Sequence, residues 1–125
     1  LWRSNFGSAL WTAQAAAALF TGGGAIVNTG SKTAVQGRGP VAHATSKAAV
    51  VRLTQLLADE LRPRRIRVNA VLPSVNDTPA NRSWMPEDLA ARAVAPAAIA
   101  KVIAFLCSPD AAPISGAAIP VYGDA

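Results

Sequence analysis

The sequence predicts an α/β fold built on parallel strands, and three observations carry that prediction. Segments of helical and strand character alternate strictly, in the order helix, strand, helix, strand, helix, strand. The strand segments are close to continuous apolar runs, as strands covered on both faces are, and lack the steady polar alternation of a half-solvated antiparallel sheet. Between successive strand segments lies room for a whole helix, which a right-handed crossover between parallel neighbours requires.

Residues 3–19 are rich in Ala and Leu and contain no Pro, so they form a helix that stops at Gly22-Gly23-Gly24. Ala25-Ile26-Val27-Asn28-Thr29 follows as a short buried strand. From Gly30 to Pro40 the Gly, Pro and polar content predicts a loop. A second helix over 41–62 carries Val50, Leu53, Leu56, Leu57 and Leu61 at the spacing of one helical face and ends before Pro63. Ile66-Arg67-Val68-Asn69-Ala70-Val71-Leu72 alternates and then runs apolar into Pro73, as a strand buried in a sheet does. Residues 73–86 hold three prolines and are expected as a long loop. Helix returns over 96–107, with Ile99, Val102, Ile103 and Leu106 on one side, and Ala118-Ile119-Pro120-Val121-Tyr122 is the last strand. No repeat and no second domain break the pattern, so residues 1–125 are expected to form one unit.

Composition narrows the function classes. A chain of 125 residues with 51% hydrophobic and 15% charged residues has a core and is not disordered. The uncharged stretch between Arg3 and Lys32 is no membrane span, because its helical part ends at the glycines and Gln14 and Asn28 interrupt it. No basic segment with a small-residue cleavage site opens the chain, and its lack of an initial Met fits a piece of something longer. The one cysteine, Cys107, forms no internal disulfide and has no partners at metal-ligand spacing; a reducing, cytoplasmic setting and no metal are expected. The net charge of +5 gathers partly in Arg62, Arg64, Arg65 and Arg67, but that cluster follows a helix, where cations suit the last carbonyls, and no aromatic interleaves with it. A nucleic-acid partner is therefore not expected.

Chemistry concentrates in three positions. His43 and Lys47 are four residues apart near the start of a helix and so share a face. Ser31 lies in the loop after the preceding strand. A hydroxyl, a titratable ring and an amine can thus meet at the carboxyl ends of parallel strands, where open α/β sheets place their ligands.

These residues fall in segments that resemble a known family. Ile26-Val27-Asn28-Thr29-Gly30-Ser31, His43-Ala44-Thr45-Ser46-Lys47 and Arg67-Val68-Asn69-Ala70-Val71-Leu72-Pro73 are similar to the strand-Ser, Tyr-x-x-x-Lys and R-V-N-x-x-x-P segments of short-chain dehydrogenases/reductases. Asn5 falls where that family's catalytic Asn opens the helix before the Ser strand, and Ser115-Gly116-Ala117 with Val121-Tyr122-Gly123 is similar to its closing segment. Five such pieces in order cover essentially the whole chain. The resemblance implies the C-terminal half of a Rossmann-type doubly wound sheet, three strands alternating with helices, with the first βαβ half absent. It implies an NAD(P)-dependent oxidoreductase acting on a small carbonyl or alcohol, and a homo-oligomer paired through helices 3–19 and 41–62. Asp77-Thr78-Pro79, Asn81-Arg82 and Met85-Pro86 are further similar to a branch that includes dihydropteridine reductase-like proteins.

Hydride transfer to a carbonyl needs a proton donor, a second donor on the carbonyl oxygen and a cation that grips the cofactor. By resemblance Ser31 holds the oxygen, Lys47 binds the nicotinamide ribose, Asn5 positions a water, and Pro73, Ser74, Asn76 and Thr78 form the loop that holds the nicotinamide carboxamide of NAD or NADP. Three departures stand out. His43 replaces the catalytic Tyr; an imidazole exchanges protons near neutral pH but is shorter than a phenol. Ser74 and Asn76 replace a Gly and a Val or Ile. No glycine fingerprint for a pyrophosphate occurs, since Gly22-Gly23-Gly24 precedes a strand and opens no helix. The alternative implied by these departures is a non-catalytic relative or dimerisation partner.

Overall fold

A computed structural model describes residues 1–125. Its first helix enters through a π-helical turn, Arg3–Gly7, and continues as α1, Ser8–Leu19. β1 (Gly24–Thr29), α2 (Val41–Leu61), β2 (Ile66–Pro73), α3 (Pro79–Arg82), α4 (Glu87–Arg92), α5 (Pro96–Leu106) and β3 (Ala118–Val121) follow. The strands form one parallel sheet in the order β1-β2-β3, with Val27 opposite Asn69, Thr29 opposite Val71 and Pro73 opposite Val121. The α/β class with parallel strands is the one the sequence predicts.

Side-chain alternation along β2 divides the core between two faces. Ile66 and Val68 pack with Ala58 and Leu61 of α2 and with Phe20 and Ile26. On the other face Val71 packs with Ile99 and Leu106 of α5 and with Ile119. Leu72, Ile66 and Leu106 are essentially solvent-free, and each such burial stabilises by roughly 1.5–3 kcal/mol before the cost of ordering the chain. Only β2, paired on both sides, is buried along nearly its whole length. β1 was expected as a buried strand, yet only Asn28 in it is buried, because one of its edges carries no neighbour. On β3 the ring of Pro120 is exposed, as suits a residue with no N–H on an edge strand.

The packed face of α2 also differs from the leucine stripe. Ser46, Val50, Val51, Thr54, Ala58 and Leu61 are the buried residues, while Leu56 is 51% exposed. Small side chains let the helix backbone lie close over the sheet, which displaces the bulkier leucines to the flanks. The loop expected over 73–86 contains α3, whose first turn is closed by Thr78 accepting from the Asn81 N–H at 3.1 Å.

Two arginines of the cluster, Arg64 and Arg67, have structural roles. Arg64 donates to the main-chain carbonyls of Ala17 and Phe20 and so caps the end of α1. Arg67 donates to the carbonyls of Ser108, Ala111 and Ile114, while Asn69 donates to Ile114 and accepts from the Ala117 N–H. Arg67 and Asn69 thus fasten the segment that delivers β3 to the sheet. No helix is long and apolar enough to cross a membrane.

Candidate active site

The carboxyl end of β1 and the start of α2 bring the first candidates together. Gly30 passes so close to β2 that a Cβ there would lie 2.6 Å from Leu72 Cδ2, and its N–H donates to Val71 O at 2.8 Å. This close approach fixes where the chain leaves the sheet toward Ser31. Lys47, half-buried on α2, donates from Nζ to the main-chain oxygen of Thr29 at 2.9 Å. Burial pushes its ammonium below the ordinary lysine value of 10.5, because desolvation disfavours the charged form.

Asn5 sits inside the π-helical turn, and its Nδ2 donates to Ser46 Oγ at 3.0 Å. Ser46 Oγ in turn donates to the carbonyl of His43 at 2.9 Å. Asn5, Asn28, Thr29 and Lys47 line a common cleft of 270 Å³ between α1 and β1. Ser46 was not singled out from the sequence. Its signal was a hydroxyl on the buried stripe of α2, repeated at Thr54, where Asn28 Nδ2 donates at 3.0 Å. Both hydroxyls satisfy asparagines that the packing buries or half-buries.

Ser31 lies apart from that cleft, in a cavity of 370 Å³ that it shares with Ser74. Its Oγ accepts from the Thr33 N–H at 3.2 Å and lies 2.9 Å from Thr33 Oγ1, capping the turn Lys32–Ala34. His43 is half-buried one helical turn before Lys47 and lines neither cavity. Its carbonyl is engaged by Ser46, and its imidazole makes no hydrogen bond within the chain. Asn5 and Lys47 therefore meet, Ser31 and Ser74 meet, and His43 stands free of both sets.

The segment after β2 holds the remaining candidates. Pro73 is buried at the end of β2, and the Asp77 N–H donates to Val94 O at 2.8 Å. Asn76 O accepts from the Thr78 N–H at 3.0 Å and from Asn81 Nδ2 at 2.9 Å. Asn81, which sequence reasoning did not place in the site, thereby fixes the loop. Asn76 Oδ1 is buried with no donor, the one such side-chain atom in the structure. Arg82 grips both carboxylate oxygens of Asp77, holding that carboxyl below the usual range. No three His, Cys, Asp or Glu side chains converge as a metal would need.

Comparison with known proteins bears on the family and the fold. Residues 2–123 match the family model described as enoyl-(acyl carrier protein) reductase. A short-chain dehydrogenase/reductase of Serratia marcescens superposes with a TM-score of 0.87 at 33% identity, over 96% of this chain and 53% of that one. The chain belongs to the short-chain dehydrogenase/reductase family. It is 35% identical to a 4-formylbenzenesulfonate dehydrogenase of Comamonas testosteroni over 98% of its own length and 55% of the relative's. It is 39% identical to a (3R)-3-hydroxyacyl-CoA dehydrogenase of Rattus norvegicus, over 94% of this chain and 49% of that one. A 7α-hydroxysteroid dehydrogenase solved with NADH and a 7-oxo bile acid is similar at a TM-score of 0.86 and 30% identity, over 95% and 51% of the two chains. The chain spans about half the length of the curated relatives it matches.

Proposed function

We propose that this chain is the catalytic-residue half of an NAD(P)-dependent oxidoreductase that interconverts a small carbonyl compound and its alcohol. The observation that carries the proposal is Lys47 Nζ bonded to Thr29 O at the end of β1, one helical turn from His43 and two residues before Ser31 in the chain. The nicotinamide end of a dinucleotide fits the residues present. Lys47 has two N–H groups left for ribose hydroxyls, and the donorless Asn76 Oδ1 suits the amide protons of a carboxamide. The pyrophosphate end has no counterpart, because the only glycine run, Gly22–Gly24, forms the turn into β1.

Bound NAD(P) supplies the hydride acceptor or donor. The chain's own residues handle the carbonyl oxygen and its proton. The Ser31 hydroxyl, oriented by Thr33, donates to the oxygen; His43 carries the proton on its unbonded imidazole; and Lys47 grips the ribose. Asn5, fixed by Ser46, holds the water that reloads the proton. Residues 1–125 are one partial domain of that fold, which pairs with a second copy through α1 and α2, and its compartment is the cytoplasm. The likeness of the 77–86 loop to dihydropteridine reductase-like proteins draws no support from the names of the relatives above.

The same unbonded ring favours a second reading, a non-catalytic relative that has lost its proton donor. Deuteride transfer separates the two. Residues 1–125 joined behind the cofactor-binding half of the Serratia relative, given NADH or NADPH deuterated at C4 and a panel of aldehydes and ketones, are expected to yield deuterated alcohol. No deuterium in any product contradicts the oxidoreductase.

A further inference from the structure

We infer that the site takes a small anionic carbonyl compound, one bearing a carboxylate, sulfonate or phosphate, with the charge held by Lys32 and Arg38. The inference rests on the proposed role of Ser31 at the carbonyl oxygen and names the substrate class of that site. The cavity Ser31 lines, 370 Å³, is of small-ligand size. Lys32, Thr33, Gln36, Arg38 and Ser74 share its walls; two are cations, none is an acid, and one hydrophobic residue, Val75, completes the apolar lining. An anion finds charge-assisted donors there in Lys32 and Arg38.

Neither cation is paired with an acidic side chain, although Lys32 already bonds the oxygen of Ala125, the last residue of the sequence. The side-chain ion pairs of the chain are Arg62–Asp59, Arg82–Asp77 and Arg92–Asp88, so no side-chain carboxylate lies within 4.0 Å of Lys32 or Arg38. Lys32 is also positioned: its Nζ lies 4.9 Å from the centroid of the Tyr122 ring and donates to Ala125 O at 3.3 Å. Two of its three N–H groups remain. Holding the ammonium in place lowers the ordering cost of binding an anion. The cavity's 370 Å³ sets the substrate as small.

The test is equilibrium binding by the full chain, read by NMR perturbation of its resonances, with levulinate as the anionic ketone and methyl levulinate as its neutral counterpart. Levulinate is expected to bind at least about tenfold tighter than the ester, one unit of charge complementarity, with the preference shrinking as salt is raised. In the double variant Lys32→Gln/Arg38→Gln the ratio is expected to fall to near unity, and in Lys32→Arg/Arg38→Lys to persist. Equal binding of acid and ester by the parent chain, no binding of the acid, or a preference that survives the Gln pair overturns the inference. Its fate is separable from that of the oxidoreductase. A charge preference with no deuteride transfer upholds the anion site alone, and deuteride transfer without a charge preference overturns it alone.

Discussion

Lys47 Nζ and the main-chain oxygen of Thr29, 2.9 Å apart, tie the second turn of α2 to the carboxyl end of β1. The bond places an amine at the strand end but removes part of its water, and that burial lowers its proton affinity. Lys47 is therefore expected to titrate below 10.5 in an NMR titration of isotopically methylated lysines. Between its lowered value and 10.5 the unfolded chain binds more protons than the folded one, so the Lys47 contribution to stability rises with pH across that window. Lys47→Met is expected to lose that rise. A Lys47 resonance that titrates above 10.5 contradicts the account of its burial.

Arg67 makes three hydrogen bonds to the carbonyls of Ser108, Ala111 and Ile114. Arg67→Ala leaves all three without their donor and is expected to cost about 2–4 kcal/mol in urea unfolding. Leu106→Ala, a cavity under β2, is expected to cost about 2–5 kcal/mol. A loss below about 0.5 kcal/mol for Arg67→Ala, the level of an ordinary surface substitution, means that the segment before β3 is held by something else.

The chain by itself is expected to bind neither NADH nor NADPH with useful affinity, because Lys47 and the loop from Pro73 to Thr78 grip only the nicotinamide end. Calorimetric titration reads this directly. Binding at micromolar Kd, about 8 kcal/mol, contradicts the reading that these residues grip only the nicotinamide end.

Trp11, Leu19 and Leu56 are 55%, 78% and 51% exposed, and β1 has an unpaired edge. Apolar helix faces and open strand edges of this kind seek a partner. Sedimentation is expected to show association, and Trp11→Glu with Leu56→Glu is expected to shift the chain toward monomer. A monomer at all concentrations in the parent contradicts pairing through α1 and α2.

The order of elements, the parallel sheet and the His43–Lys47 turn were legible in the sequence because each rests on local periodicity. The stripe of α2 is legible in part, with Val50 and Leu61 buried and Leu56 51% exposed, because burial follows approach distance as well as hydrophobicity: Ser46, Thr54 and Ala58 are small enough to face the sheet. β1 reads as a buried strand by composition, but its exposure depends on a neighbour that local sequence does not reveal. The division of the site into two cavities, and the capture of the Asn76 carbonyl by Asn81, arise from side-chain geometry across segments that no spacing encodes.

The central claim is that His43 occupies the proton-donor position of a reductase site, with Lys47 as its cationic support. The most direct measurement is the single-turnover hydride-transfer rate of residues 1–125 joined to the cofactor-binding half of the Serratia relative, with His43→Tyr, Lys47→Ala and the double variant. A phenol of ordinary pKa near 10 needs a nearby cation to exchange its proton near neutrality. His43→Tyr is therefore expected to raise the rate by about 10²-fold, the lower range for a positioned general acid, and Lys47→Ala is expected to abolish that gain. A Tyr variant no faster than the parent while cofactor binding stays intact, or a gain that survives Lys47→Ala, contradicts the account.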